Sequence, residues 1–420
     1  MDILNVDYEK YKLKNGLEVI LHKDDNLPLI AVNIWYKVGS ANEQKGKTGM
    51  AHLFEHMMFQ GSENVPKEMH FRYIQEAGGS LNGSTSFDRT NYYEKLPSNF
   101  LELALWLESD RMCFLLPALT QEKLNNQKDV VINERLERYD NQPYGLAWEI
   151  IVSNLYPAGH PYSWPTIGYV EDISSFTLED VHSFFKKYYS PSNASLVVAG
   201  NFVESFAREK IAEYFENIPD LVSNEKINHL KVELNESKSL IREENVQLER
   251  IYFAWPTELL YGKDDAALDI LADILSGSKN SRLYKNLVHE KEIAQDVSAY
   301  QFSGNASGHF MIIATAKKGI PLEKIKDEIF MELKKIKTEG VSQHELKRTK
   351  NGSKSNFIFS LQDLDTMANQ LNFYNNFLGE PNSFNFDLNR YNEITNDKIL
   401  EVAGKYFDKP FIELKIIPKK

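Results

Sequence analysis

Cysteine is almost missing from this sequence, because Cys113 is the only one among 420 residues. A disulfide within the chain needs two cysteines, so none can form. The same shortage excludes a zinc site built from several thiolates. Any zinc site in this chain would have to rely on histidines and carboxylates.

Long apolar runs are missing as well. No stretch approaches the ~18 uncharged apolar residues of a membrane-spanning helix. The first residues, MDILNVDYEKYKLKNG, lack a basic start followed by an apolar run, which is the pattern of a signal peptide. We therefore expect no membrane segment and a cytoplasmic protein, or a periplasmic one if a leader has been removed.

Basic residues are outnumbered, with 48 Lys and Arg against 60 Asp and Glu, which gives a formal net charge of −12. This balance disfavours nucleic acids and anionic membranes as partners and permits attraction of cationic ligands. Mild acidity also aids solubility. Net charge alone therefore selects no partner.

The remaining composition is that of a globular protein, with 42% hydrophobic and 26% charged residues. A chain of 420 residues is too long for one typical core, so two or more domains are expected. In the first half, alternating runs on either side of Asn15-Gly16 predict antiparallel strands. Helical patterns follow, the stretch GGSLNGSTSFDRTNYYEKLP is interpreted as a loop and a strand, and ASLVVAGNF as a buried strand.

The second half repeats the order of the first. RIYFAWPT resembles AVNIWYKV, and the end of the helical run AALDILADILSGS resembles MMFQGS. A shift of 216 residues between the two halves, which aligns Gly277 with Gly61, places Leu268, Leu271 and Ala272 on His52, Glu55 and His56. We predict an α+β fold of two homologous, duplicated domains, each an antiparallel-rich mixed sheet flanked by helices. The predicted bounds are 1–222 for the polar-site domain, 223–239 for a polar linker and 240–420 for the second domain.

The stretch AHLFEHMMFQGS contains the residues with the clearest chemistry. At ~100° per residue, the apolar side chains gather on one face of a helix, and His52, Glu55 and His56 gather on the opposite face. Thr48 is the predicted N-cap of this helix and Gly61 its predicted stop. The apolar face can pack on a core while the polar trio faces a cleft.

Histidines at i and i+4 can reach one ion, and zinc takes imidazole nitrogen at ~2.0–2.1 Å. A catalytic zinc has three protein ligands and a water whose pKa falls towards ~7, and a carboxylate beside that water can take its proton. Glu55 lies on the correct face for this task. Spacing leaves the third ligand open among Glu134, Glu137 and His160, and Gln127 on the face of Glu134 could hydrogen-bond near the site.

His52-Leu53-Phe54-Glu55-His56 has the inverted zinc order of the inverzincins. Nearly the whole chain resembles pitrilysin and insulin-degrading enzyme, and more closely the two-domain branch that includes the beta-type subunit of mitochondrial processing peptidase. The resemblance rests on four ordered stretches: HLFEHMMFQGS, GGSLNGSTSFDRTNYY, VVINERLERYDNQPYG and SRLYKNLVHEKEIA.

The resemblance implies a zinc metalloendopeptidase with one Zn²⁺ ion. Its ligands would be His52, His56 and Glu134, and Glu55 would be the general base. Glu134 is preferred over Glu137 by this match and not by spacing. The family encloses peptides or unfolded polypeptides in a chamber, where they add as a strand beside the metal, and Asn82 and Gly83 match the substrate-side loop.

The sequence departs from the family where the second domain completes the site. Val288 stands where the family has an Arg, and Gln295 stands where it has a Tyr, although these side chains help to stabilise the oxyanion. We therefore expect a heterodimer in which a homologous partner subunit supplies them. Local replacement by Arg282, Tyr284 or Tyr300 is the other option.

Two functional classes compete. One is the zinc peptidase, and the other is a non-catalytic core subunit of a larger complex, as some family members are. Such members usually lose the metal residues, whereas all four are present here. A purely structural zinc site is disfavoured, because it would usually have four protein ligands and would leave Glu55 without a role.

Overall fold

The computed structural model describes residues 4–221 and 232–419. These residues form two compact units whose segments alternate along the chain. The first unit contains residues 4–134, 165–221 and 357–386, and the second contains 135–164, 232–356 and 387–419. The predicted domain bounds stay a prediction, and most of the predicted linker, 223–231, lies outside the described residues. Its last residues, 238–239, begin a strand.

Each unit has one sheet at its centre. The first sheet has the strand order β1-β2-β6-β3-β5-β4 and the second has the order β7-β11-β8-β10-β9. The strands are β1 Glu9–Lys12, β2 Glu18–Lys23, β3 Leu29–Tyr36, β4 Ser80–Thr85, β5 Thr90–Pro97, β6 Ala194–Gly200, β7 Lys238–Glu244, β8 Arg250–Thr257, β9 Ala294–Ser303, β10 Gly308–Ala316 and β11 Ile412–Pro418.

Helices cover both sheets. They are α1 Met50–Met57, α2 Met69–Glu76, α3 Leu101–Ala118, α4 Gln121–Arg135, α5 Ala147–Leu155, α6 Val170–Ser175, α7 Leu178–Tyr188, α8 Glu204–Phe215, α9 Asp265–Ser276, α10 Leu322–Glu339, α11 Gln343–Ser360, α12 Leu364–Leu378, α13 Phe384–Asn392 and α14 Asn396–Phe407. The described residues also form two π-helical segments, Leu136–Asp140 and Tyr284–Glu290, and three short 3₁₀ helices, Ser40–Asn42, Ser98–Phe100 and Pro191–Asn193. None of these helices has the length and apolarity required to cross a bilayer.

The two sheets have the same topology, which confirms the predicted duplication. In the first sheet β2 runs parallel to β6, and β6, β3, β5 and β4 then pair antiparallel. In the second, β7 runs parallel to β11, and β11, β8, β10 and β9 then pair antiparallel. The first sheet differs by one added strand, β1, which pairs with β2 across the turn at Asn15-Gly16.

Helix α9 is the counterpart of α1, as the shift of 216 residues predicts. Both helices follow the second strand of their repeat. Leu268 and Leu271 are fully buried in the core of the second unit, and Ala272 is nearly so. The face that carries polar groups in α1 is therefore a packing face in α9.

The prediction of a loop at the start of GGSLNGSTSFDRTNYYEKLP was wrong. Residues Ser80–Thr85 form strand β4, which pairs antiparallel with β5 from Ser80↔Lys95 to Thr85↔Thr90. Gly, Ser and Asn are typical of loops, but here small side chains lie on an edge strand whose backbone is held by β5. The stretch is a hairpin, and β4 stands at the end of the strand order.

Candidate metal centre

Helix α1 begins in a way that differs from the prediction. Gly49 occupies the N-cap position with φ of +88°, and a Cβ there would lie 2.6 Å from the carbonyl oxygen of Ile167, so glycine fits both demands. The Glu43 carboxylate accepts hydrogen bonds from the backbone N–H groups of Gly49 (3.0 Å) and Ala51 (2.8 Å). The predicted cap, Thr48, instead donates its hydroxyl to Asp172. A carboxylate at a helix N-terminus also complements the helix dipole.

The C-terminal end of α1 also differs from the prediction. The helix ends at Met57, four residues before Gly61. Gly61 has φ of +85° and belongs to the turn that follows. The predicted stop therefore marks a later reversal of the chain.

Packing of the apolar face of α1 orients its polar face. Leu53, Phe54 and Met57 are fully buried, and the Phe54 ring lies 4.3 Å from the ring of Tyr189, centroid to centroid. His52 and His56 are only half-buried. The helix is thus anchored by its apolar side chains, with the histidines on the accessible side.

Glu134 meets the two histidines. One carboxylate oxygen lies 3.4 Å from His56 Nε2 and the other lies 3.9 Å from His52 Nε2. One ligand atom from each residue can be chosen so that all three lie within 4.8 Å of one another. Donors at ~2.0–2.1 Å from one tetrahedral zinc lie about 3.3 Å apart, so this donor set fits the ion in both chemistry and span.

The position of Glu134 follows from the packing of α4. Leu124 and Val131 are fully buried and Gln127 nearly so, and together they form the stripe that continues into Glu134 one turn later. The Gln127 amide donates to the side chain of Asn126 at 3.0 Å. Its predicted contact with the metal ligands stays a prediction.

The other candidate third ligands have different surroundings. Glu137 is exposed on the π-helical segment Leu136–Asp140. His160 is fully buried within the second unit, where its ring stacks on Tyr156 and its Nδ1 accepts from the backbone N–H of Tyr162. Burial lowers the pKa of His160 to about 4. These features are those of a neutral core histidine.

Glu55 lies on the same face of α1 and contacts strand β4. The Thr85 hydroxyl donates to Glu55 Oε2 at 2.5 Å. Burial raises the pKa of Glu55, while the hydrogen bond from Thr85 and the nearby guanidinium of Arg89 act in the opposite direction. A carboxylate with a raised pKa is a better proton acceptor once ionised.

Strand β4 brings its backbone close to this carboxylate. A Cβ at Gly83 would lie 3.1 Å from Glu55 Oε1 and 3.2 Å from the ring of Phe59. Asn82 is exposed, and its side-chain oxygen accepts from the backbone N–H of Gly83 at 2.9 Å. One edge of β4 pairs with no strand within the described residues, so peptide groups stand open at a strand that touches Glu55.

A second group of metal-ligating types lies buried in the same unit and has a different character. His70, Glu94 and Glu108 come within 4.8 Å of one another. Arg111 donates to Glu108 at 2.9 Å and lies 3.6 Å from Glu94, so a guanidinium already balances the carboxylates. Burial and the charge of Glu108 raise the pKa of Glu94 well above its usual range. This group is an internal ion cluster.

The second unit holds the two positions at which the sequence resemblance led us to expect an Arg and a Tyr. Val288 packs against the core and Gln295 is exposed on β9. Arg282 makes a two-pronged ion pair with Glu345, with N–O distances of 2.7 and 3.0 Å. The Tyr300 hydroxyl donates to the sulfur of Met311, and the Tyr284 ring lies 5.3 Å from that of His289. Arg282, the option with a positive charge, is thus already committed.

Comparison with known proteins decides the family. A profile described as "Insulinase (Peptidase family M16)" matches residues 18–161, and one described as "Peptidase M16 inactive domain" matches 175–353. The chain is 31% identical to Zinc protease PqqE of Helicobacter pylori over 367 residues, which cover 86% of this chain and 82% of that protein. The chain belongs to the insulinase family, peptidase family M16. The resemblance drawn from the four stretches is therefore confirmed.

Other relatives agree with this assignment. The probable mitochondrial-processing peptidase subunit beta of Arabidopsis thaliana is 24% identical, with 86% of this chain and 68% of that protein covered. The crystal structure of a protease from Helicobacter pylori has a TM-score of 0.91 and 29% identity, and covers 98% of this chain and 100% of that chain. The α+β fold with two homologous domains is thus shared with M16 peptidases.

Sequence reasoning assigned no role to Thr85, the residue that touches Glu55. Its position two residues after Gly83 could have indicated a role, because residues two apart on a strand lie on the same face. That signal was hidden because the stretch was interpreted as a loop.

Proposed function

We propose that the chain is a zinc-dependent endopeptidase. The supporting observation is that His52, His56 and Glu134 converge on one point while Glu55 lies on the same face of α1. The proposal is also supported by relatives that are named zinc proteases. His52, His56 and Glu134 would hold one Zn²⁺ ion, which supplies Lewis acidity towards water and the peptide carbonyl.

The residues of this chain have separate tasks in hydrolysis. Glu55 accepts a proton from the attacking water and passes it to the leaving amine. The peptide adds as a strand to the open edge of β4, where Gly83 lets its backbone come close to Glu55. Main-chain pairing binds peptides and unfolded segments without strict sequence demands, and we propose that they are held within an enclosed chamber.

A homologous partner subunit supplies the oxyanion donors in this proposal. The support is that Val288 and Gln295 replace the expected Arg and Tyr, and that Arg282 is paired with Glu345. The relative from Arabidopsis thaliana is itself named a subunit beta. The present chain would be the zinc-bearing member of a heterodimer.

We expect peptide hydrolysis to appear only when the zinc-loaded chain is mixed with a homologous partner, since the transition state needs the donors that it brings. The measurement is cleavage of a mixed peptide library by the chain alone, the partner alone and both together. Strong activity of the isolated chain as a monomer would overturn the heterodimer. Absence of cleavage by the pair would favour the non-catalytic core subunit instead.

We expect His52→Ala and Glu134→Gln each to reduce bound zinc to a small fraction of the wild-type amount, because two remaining ligands do not hold a catalytic zinc. Zinc per chain is measured by mass spectrometry after dialysis against a weak chelator. The matched control is Glu137→Gln, one turn further along and exposed. Retention of zinc by Glu134→Gln together with loss in Glu137→Gln would reverse the assignment.

A further inference from the structure

The carboxylate of Glu55 lies against two residues of one strand, Thr85 and Gly83. Thr85 Oγ1 donates to its Oε2 at 2.5 Å. The position that a side chain at Gly83 would occupy lies 3.1 Å from its Oε1 and 3.2 Å from its Cγ. One oxygen is thus bound, and the other faces a backbone that carries no side chain.

Strand register explains why these two residues act together. Gly83 and Thr85 are two positions apart on β4, so they face the same side of the sheet, opposite Tyr92 and Thr90 of β5. The hairpin is fixed at its turn by Arg89, whose guanidinium donates to the carbonyl oxygen of Ser84 at 2.7 Å. The hydroxyl therefore reaches Glu55 from a rigid element.

We propose that Thr85 is a positioning residue that fixes the Glu55 carboxylate in the orientation needed for proton transfer. The inference rests on the zinc peptidase function proposed above. The terminal torsion of a glutamate side chain is broad and roughly two-fold, so it does not by itself select one orientation. With Oε2 held by the hydroxyl, Oε1 stays directed away from Thr85 and is available to the water.

The same strand is proposed to receive the peptide, and this links binding to chemistry. A peptide that pairs with the open edge of β4 orders the strand that orients the base. Small displacements of a catalytic group have large effects, on the order of 10²-fold for ~1 Å. Thr85 thus acts on the turnover step, while peptide affinity depends on the backbone of β4.

The decisive comparison is Thr85→Val with Thr85→Ser. Valine keeps the shape and removes the donor, whereas serine keeps the donor. We expect Thr85→Val to lower kcat by about 10- to 100-fold with KM within about twofold, and Thr85→Ser to restore kcat to within a few-fold of wild type. Bound zinc is expected to be unchanged in both variants.

Thr90→Val is the matched control, because Thr90 lies opposite Thr85 and its hydroxyl donates to the carbonyl oxygen of Val38. Its kcat is expected to stay near the wild-type value. An equal loss in Thr90→Val and Thr85→Val, or a normal kcat in Thr85→Val, would overturn the proposal.

A second measurement does not depend on activity. Crystal structures of the metal-free wild type and Thr85→Val are compared at high resolution. We expect one orientation of the Glu55 carboxylate in the wild type and a rotated or divided one in the variant. An unchanged carboxylate would refute the positioning role even if the protein proved to hydrolyse no peptide, so the two proposals fail separately.

Discussion

Replacement of Glu55 by glutamine is expected to reduce kcat for peptide hydrolysis by about 10²- to 10⁴-fold while zinc stays bound. Glutamine has nearly the same shape, and its amide oxygen can still accept the hydrogen bond from Thr85. What it loses is the ability to take a proton. Because Glu55 is not one of the three residues proposed as zinc ligands, the metal should be retained. Hydrolysis and zinc content are measured on the same preparation.

Glu63→Gln is a suitable control, since Glu63 is an exposed carboxylate outside the group of His52, His56 and Glu134. It is expected to change neither kcat nor zinc content. Near-normal turnover in Glu55→Gln would remove the general-base assignment. Loss of zinc in Glu55→Gln would instead mean that Glu55 is itself a ligand.

Local periodicity was sufficient to predict the polar face of α1. Burial of the apolar stripe fixes the rotation of a helix about its axis, so the opposite face must be the accessible one. His52, Glu55 and His56 lie on that face for the reason that Leu53 and Met57 are buried. The choice of Glu134 as the proposed third ligand was beyond such reasoning. Glu134 lies 78 positions after His56, and only the family match could choose it in advance.

The cap of α1 and the edge strand β4 were predicted less well. The cap depends on a carboxylate that residue-type preferences do not point to, and the strand has an ambiguous composition. Thr48 is a good N-cap by residue type, but the carboxylate of Glu43, which precedes the helix, accepts from the backbone N–H groups of Gly49 and Ala51 instead. The Gly, Ser and Asn content of β4 favours a loop until the pairing with β5 is seen. That pairing gives the stretch its register and places Thr85 against Glu55.

The membership of residues 357–386 in the first unit could not be read from the chain order. Helix α12 packs on β3 and β6, about 170 to 350 residues earlier in the chain. Side-chain amides of α12 form hydrogen bonds with polar groups of the sheet. Asn372 donates to the carbonyl oxygen of Asn33 at 2.9 Å and accepts from the Ser195 hydroxyl at 2.6 Å. Trp35 donates its indole N–H to Asn369. Such polar complementarity has no periodic signature.

This arrangement predicts that residues 1–221 do not fold when expressed alone. Without α12 the buried polar groups of Asn33 and Ser195 and the ring of Trp35 would lose the helix that covers them. A protein is stable by only about 5–15 kcal/mol, which is too little to absorb the loss of a whole covering helix. We expect an aggregating fragment without a cooperative unfolding transition. A soluble fragment with such a transition would show that α12 is dispensable.

The same interaction can be tested in the full chain by Asn372→Leu. Leucine has a similar size but removes the partner of the Asn33 side-chain oxygen and of the Ser195 hydroxyl, at about 1–3 kcal/mol for each group left unsatisfied. We expect the free energy of unfolding to fall by roughly 2–5 kcal/mol in urea titrations. Asn376→Leu, on the half-exposed side of the same helix, should change it by about 0.5 kcal/mol or less. Because leucine is a better helix former than asparagine, helix propensity cannot cause the loss. Equal effects of the two substitutions would mean that the loss does not come from the amide that joins α12 to the first sheet.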